Sequence, residues 1–395
     1  MLRVATLGTF LNPDRRTDGF SNHSFNLSRW LSRLEDANVT MVSFGEADET
    51  RMLDRYRFIM MRRGWSYKRF PLIPLLRIAL ILRREKPDLI HIQGTTFTHF
   101  LVYALTLSPR NVPKVVTVHG HPAEEGVARG CWKKDSFKAK LIGFGEDLTA
   151  RSADAILFVT TKLRNEWTVK YGEHNGPDYY TIMNAVDPDE FSCKADSNIG
   201  GVRLVVLSAK ALVPPNGQEY LVRAFPRILE AVPDARLLIA GEGPDRFRLE
   251  RIAAEIGVQS RISFLGCVPN KEMPDLMSRT TIFVAPSIRM GEVEEGSSIV
   301  VLEAMASGVP VIATDVGGLV ELVSNGKTGI LVQERDPGAI SDAVLDLYAH
   351  PERRKEMARA AREYVLLERT WEQVAFMHMQ IYRSLMRKRE RGLTR

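Results

Sequence analysis

The chain has 395 residues, 45% of them hydrophobic and 26% charged, with a formal net charge of +6. That length exceeds what one core usually supports, so about two domains are expected, and the composition is that of a globular chain rather than a disordered or fibrous one. No run of eighteen apolar residues exists to span a bilayer, and the three scattered cysteines, Cys131, Cys193 and Cys267, lack the spacing of a disulfide framework or a metal site.

Met1-Leu2-Arg3-Val4-Ala5-Thr6-Leu7-Gly8 carries no cleavage pattern and reads as a first strand, so a reducing, cytoplasmic setting is expected. Beyond it, apolar runs alternate with longer helix-period stretches, the pattern of parallel sheets built from βαβ units. Strands are predicted at Arg3 to Thr9, Val39 to Phe44, Leu89 to Gln93, Val115 to Val118, Ala155 to Val159 and Tyr180 to Met183. In the first βα turn, Asp18-Gly19-Phe20-Ser21-Asn22-His23 precedes a helix predicted from Ser24 to Leu34, and Gly19 lets backbone come close to a ligand. A polar stretch over 187–201 reads as a linker. The scheme then restarts with strands at Arg203 to Leu207, Arg236 to Ala240, Ile262 to Phe264, Ile282 to Val284, Val309 to Ala313 and Thr328 to Val332. A helix from about Thr370 to Lys388 follows, with Trp371, Val374, Phe376, Met377, Ile381, Tyr382 and Leu385 as its apolar side. The fold class is therefore α/β: two Rossmann-like doubly wound parallel-sheet domains, 1–190 and 200–368, facing across a cleft where such sheets bind ligands, and a last segment, 369–395.

The whole excess of positive charge falls on residues 1–195, and 51–86 alone hold eleven basic residues against Asp54 and Glu85. Cations there flank aromatic and aliphatic residues from Trp65 to Arg84, which suits peripheral contact with an anionic membrane surface. The alternative is a core helix over Leu75 to Leu82 with its arginines in water. No nucleic-acid-binding module accompanies the charge, so nucleic acid is not an expected partner.

The most informative stretch runs from Glu295-Gly296-Ser297-Ser298-Ile299-Val300 through Glu303 to Gly308-Val309-Pro310. Ser297 and Ser298 are good caps for a helix reaching about Met305, whose opening backbone N–H groups would suit a diphosphate. Glu295 lies ahead of that helix and Glu303 about two turns into it, so one carboxylate can reach a sugar and the other a ribose. Glu292, Glu294 and Glu295 form an acidic cluster without a nearby histidine in sequence, and no metal is expected there.

This string resembles the E-x7-E signature of the retaining GT-B glycosyltransferases of family GT4, and further motifs follow in family order over nearly the whole chain. Gly19 matches the second glycine of the family's first loop, with Asp18 in place of the first. His119, in Val118-His119-Gly120-His121, matches a histidine that contacts the transferred sugar, whereas His91 reads as structural and His121 is open. Phe264-Leu265-Gly266-Cys267-Val268-Pro269 matches the stretch where backbone, at Val268, meets the nucleobase. The family's arginine and lysine in the basic phosphate loop are replaced by Ala211 and Asn216, leaving Lys210 and Arg289 as candidate cations. The resemblance also implies that the last helix returns to the amino-terminal domain.

On this reading the chain is a retaining glycosyltransferase that moves a sugar from a nucleotide-sugar donor to a hydroxyl acceptor, a glycan or lipid-linked saccharide, with no cofactor or metal. Glu295 and His119 are its catalytic candidates. Gly19, Lys210, Val268, Gly296, Ser297, Ser298, Ile299, Val300 and Glu303 are its donor-binding candidates. A non-hydrolysing sugar-nucleotide epimerase and a catalytically impaired binding or scaffold protein are the alternatives, the second because of Ala211 and Asn216.

Overall fold

The computed structural model describes residues 1–8, 19–45, 47–62, 72–94, 112–128, 133, 135–172, 177–192, 204–291 and 294–391. Asp18, Glu292, residues 63–71 and residues 193–201 of the predicted linker lie outside them. Two compact units emerge. The first combines the amino-terminal strand with Phe20–Met183 and Trp371–Arg395, and the second contains Asn184–Thr370.

In the first unit an eight-stranded sheet is formed by β1 (Leu2–Leu7), β2 (Ala37–Gly45), β3 (Glu49–Leu53), β4 (Tyr56–Arg62), β5 (Leu89–Gln93), β6 (Lys114–Val118), β7 (Ala155–Phe158) and β8 (Asp178–Thr181), in the order β3-β4-β2-β1-β5-β6-β7-β8. All neighbours pair in parallel except β3 with β4. The second unit holds β9 (Val205–Ala209), β10 (Arg236–Ala240), β11 (Ile262–Gly266), β12 (Ile282–Ala285), β13 (Val311–Thr314) and β14 (Ile330–Val332), all parallel, in the order β11-β10-β9-β12-β13-β14. That is the doubly wound arrangement, in which strand order reverses between the first and fourth strands of the set.

The strands that the sequence marks most plainly are buried on both faces, as parallel strands covered by helices should be. Each residue of β5, β7, β12 and β13 is buried. The hairpin of β3 and β4 was not expected. Its strands mix charged residues with apolar ones, as in Arg57 exposed beside Phe58 buried, so composition disguised them as part of the basic segment. Asp54 turns the hairpin with φ of 53°.

Several boundaries differ from expectation, among them two with identifiable reasons. The first helix spans Gly19–Arg33, and Ser24 sits inside it, donating its hydroxyl to the Phe20 carbonyl 3.0 Å away rather than capping. β13 begins at Val311 because Pro310 has no N–H to pair and offers just its carbonyl, to Phe283 N–H at 2.9 Å. The last helix, Trp371–Glu390, buries Trp371, Val374, Ala375, His378, Met379, Ile381, Tyr382 and Leu385, and exposes Phe376. No helix among the described residues is long and apolar enough to cross a membrane.

Candidate active site

In the second unit the chain leaves β9 at Ala209 and β12 at Ala285, the two central strands between which the winding reverses. Open α/β sheets bind ligands at this point, beyond the carboxyl ends of the strands. Lys210 follows β9 directly, and Ser287 lies two residues beyond β12. Lys210 Nζ donates to Ser287 Oγ at 2.9 Å and forms an ion pair with the Glu295 carboxylate, while Ser287 Oγ donates to Glu295 Oε2 at 3.1 Å. The lysine and glutamate side chains are 9% and 14% exposed, so the pair sits where charge interactions are weakly screened.

The loop that carries Glu295 is held by backbone. Gly318 N–H donates to the Glu295 carbonyl at 2.8 Å, and Gly317, at φ of +52°, packs so closely that a Cβ would strike that carbonyl. On the other side Gly241, at φ of +140°, lies against the Lys210 carbonyl with no room for a side chain. Ser287 is placed through its own carbonyl, which accepts from Thr314 Oγ1 at 2.5 Å. Asn216 donates to the Ala211 carbonyl at 2.7 Å, so amide contacts close the loop where cations were expected. Arg289, the other candidate cation, pairs with Glu294 instead, and its N–H is taken by Glu334 at 2.8 Å.

The helix Ile299–Ala306 follows, buried along nearly its whole length. Ser298 is its N-cap residue by position, but neither serine caps it with a side-chain bond, which corrects that expectation. Asn184 claims Ser297 on two sides: its N–H donates to Ser297 Oγ at 3.0 Å and its side-chain amide to the Ser297 carbonyl at 2.5 Å. At the far end Arg362 reaches the Ala306 carbonyl, a cation placed at a helix carboxyl terminus. Glu303 is buried within this helix, and burial, then the Glu190 carboxylate, pushes its pKa up to about 8. Ile299 is buried, whereas Gly296 and Val300 remain half-buried, as does Val268 just past β11.

In the first unit His119 follows β6, and its Nε2 lies 3.3 Å from Gln93 Oε1, at the end of β5. Its ring packs edge-on against Phe20 and His23, with centroids 5.0 and 4.7 Å apart. Both neighbours belong to the helix that Gly19 opens. His91 is buried, with Nε2 at 2.7 Å from Thr117 Oγ1 and Nδ1 at 2.6 Å from Tyr382 Oη. Burial, and then His378, His23 and His119, hold its pKa well below the usual histidine value. For His121, burial pulls the pKa down, but Glu166, Glu124 and Glu146 prevail and the net shift is upward.

Sequence reasoning thus anticipated Lys210 and Glu295 but not their direct contact. It missed Ser287, Gly317 and Gln93. Gln93 ends β5 and Ser287 lies two residues beyond β12, beside the reversals of strand order, and Gly317-Gly318 is a glycine pair three residues beyond β13, which are the signals that could have found them. Among the described residues no three His, Cys, Asp or Glu side chains gather as a metal site.

Two family models match adjoining stretches of the chain: Glycosyltransferase Family 4 over residues 17–190 and glycosyl transferases group 1 over residues 191–364. The chain belongs to glycosyltransferase family 4. A GDP-mannose-dependent alpha-(1-6)-phosphatidylinositol monomannoside mannosyltransferase of Mycolicibacterium smegmatis is 37% identical over 226 residues, 55% of this family 4 chain and 59% of that relative's length. The fold is that of solved GT-B enzymes. Sucrose-phosphate synthase from Thermosynechococcus elongatus superposes with a TM-score of 0.79 at 21% identity, over 98% of this chain and 99% of that one. HepE of Anabaena, solved with UDP and glucose, gives 0.76 at 17% identity, over 97% and 100%. Similarity to named transferases does not favour the epimerase or the scaffold alternative.

Proposed function

We propose that this family 4 chain transfers a sugar from a nucleotide-sugar donor to a hydroxyl acceptor with retention of configuration. The observation that carries the reading is the Lys210, Ser287 and Glu295 cluster at the strand-order reversal of the second sheet. Without donor, the lysine and the glutamate neutralise each other. With donor, the diphosphate takes Lys210, and the released Glu295 carboxylate accepts from a sugar hydroxyl, each as a charge-assisted hydrogen bond. The amides from Gly296 to Val300 bind diphosphate and sugar, Val268 backbone meets the base, Glu303 serves the ribose, Gly19 admits substrate, and His119 contacts the sugar. Lys210 and the amides stabilise the departing diphosphate without metal or cofactor. The acceptor oxygen bonds to the anomeric carbon as the carbon to phosphate-oxygen bond breaks, and the acceptor proton leaves with the nucleoside diphosphate.

The named donor and acceptor of the mycobacterial relative make GDP-mannose and a lipid-linked saccharide the first pair to try. Calorimetry against GDP-, UDP- and ADP-sugars should find one binder, and NMR of the product should show the donor's anomeric configuration kept. Inverted product, or no binding by any of the three at millimolar concentration, refutes the reading.

For the basic segment we propose peripheral contact with anionic lipid. The helix Leu72–Glu85 presents Leu80, 63% exposed, beside exposed Arg83 and Arg84. Arg57 and Arg77, by contrast, pair with Glu85 and Asp48. Co-sedimentation with phosphatidylglycerol vesicles should be lost on changing Arg83 and Arg84 to glutamate, and equal sedimentation of the variant refutes it.

A further inference from the structure

In the second unit, β14 ends at Val332, and Glu334 and Arg335 just beyond it reach the segment that leaves β12. Glu334 Oε2 accepts the Arg289 N–H at 2.8 Å, Arg335 Nη2 donates to the Arg289 carbonyl at 2.6 Å, and Arg335 Nε lies 3.4 Å from Glu334 Oε2. Two adjacent side chains thus hold both backbone polar groups of one residue, as a neighbouring strand would. Arg335 Nη1 also donates to Tyr220 Oη at 3.3 Å, and the Ile288 N–H donates to the Pro215 carbonyl at 2.8 Å.

Arg335 does this at φ of 61°, a left-handed conformation that glycine adopts freely and that strains a residue with a Cβ. Such strain persists where the surroundings over-determine it, and here the guanidinium is tied to Arg289, Tyr220 and Glu334. What it holds lies beside the Lys210, Ser287 and Glu295 cluster. Ser287, which donates to Glu295, is two residues before Arg289, and the Arg289 guanidinium pairs with Glu294, directly before Glu295. Gly317 closes the same loop from another side, where a Cβ would strike the Glu295 carbonyl and crowd Glu294 Cβ. Once a diphosphate has taken Lys210, Ser287 and the loop itself are left to aim the Glu295 carboxylate.

We propose that Arg335, together with Glu334, is a positioning residue of the donor site: by fixing the Arg289 backbone it places Ser287 on one side and Glu294 on the other, and so aims Glu295 at the transferred sugar. Arg289 is then a strut of the loop and not a phosphate cation. The inference rests on the reading of Glu295 as a sugar contact.

Arg335→Gly in the full-length chain tests it, because glycine suits this backbone and only the side chain is lost. Thermal unfolding should change little, while amide hydrogen exchange should quicken several-fold at Arg289 and at Gly318, whose N–H holds the Glu295 carbonyl. With GDP-mannose, kcat/KM should fall about tenfold and binding should weaken, whereas GDP, which lacks the sugar, should bind as in wild type. The UDP or ADP pair replaces these probes if the wild-type chain selects it. Arg335→Lys, which keeps a donor for the Arg289 carbonyl, should recover part of the loss. In a Glu295→Gln background, Arg335→Gly should weaken GDP-mannose binding no further, because the carboxylate it aims is gone. Should Arg335→Gly fail to fold, Glu334→Ala, which removes the acceptor of the Arg289 N–H, is read in the same way. Wild-type kcat/KM in Arg335→Gly, equal weakening of GDP and GDP-mannose, or an equal loss in the Glu295→Gln background overturns the positioning role. If Glu295→Gln alone leaves GDP-mannose binding and turnover intact, Glu295 is no sugar contact and the inference falls with that reading.

Discussion

Lys210 and Glu295 stand 85 positions apart in sequence and share an ion pair, with the Ser287 hydroxyl touching both. Each comes from the end of a strand or the loop beyond it, and the glycines at 241 and 317 let neighbouring backbone close against the two residues. The pair gives the second unit a nearly enclosed cation and carboxylate at one point.

Changing Lys210 to Met leaves a mostly buried carboxylate with the serine as its remaining partner in the cluster. A loss of about 3 kcal/mol in stability is expected, together with about a hundredfold fall in kcat/KM. Adding Glu295→Gln should recover much of the stability and none of the turnover. Thermal unfolding and steady-state kinetics check both, and equal activity of the lysine variant contradicts the assignment.

Glu303, with its pKa raised from 4.5 to about 8, binds its proton more tightly folded than unfolded. Its contribution to stability is therefore fully present below pH 4.5 and is lost as pH rises through 8, on the order of several kcal/mol in all. Glu303→Gln should flatten that part of the stability profile and be the more stable protein at pH 9 or so. Urea titrations across the range measure it, and parallel profiles count against the burial.

His378 has the opposite sign. Burial lowers its pKa from 6.5 to about 3, against the bond that its Nδ1–H donates to the Val374 carbonyl at 2.7 Å. The unfolded chain takes up the proton first, so stability is present above pH 6.5 and is lost as pH falls towards 3. His378→Phe should weaken that acid dependence, as followed by the tryptophan fluorescence of the first unit, and an unchanged acid midpoint would contradict it.

Gly317→Ala should cost about 2 kcal/mol and weaken donor binding, because its new Cβ meets the Glu295 carbonyl at a positive φ. Gly326, at φ of +75° but facing open space, supplies the control. Its alanine variant should lose only the cost of the left-handed conformation, about 1 kcal/mol, and leave donor binding intact.

Much of this protein is readable residue by residue. Apolar runs such as Ile282–Ala285 can satisfy both faces of a sheet only when helices cover them, so periodicity alone reveals a parallel α/β fold with a repeat of the scheme. Glu295, Lys210 and His119 could be singled out because each stands in a local motif. The hairpin at Glu49–Leu53 and Tyr56–Arg62 escaped because an edge hairpin with charges among its apolar residues looks, in composition, like a solvated basic stretch. The unused caps at Ser297 and Ser298 escaped because Asn184, remote in sequence, competes for Ser297.

Local pattern therefore determined most of the strands and helices and the chemical types present, since these depend on neighbours within a turn or two of chain. Only the tertiary structure decided that Lys210 meets Glu295, that Glu303 is deeply enough buried to hold its proton, and that Tyr382 reaches His91. Each of those depends on distance and desolvation between residues that folding, and not sequence proximity, brings together.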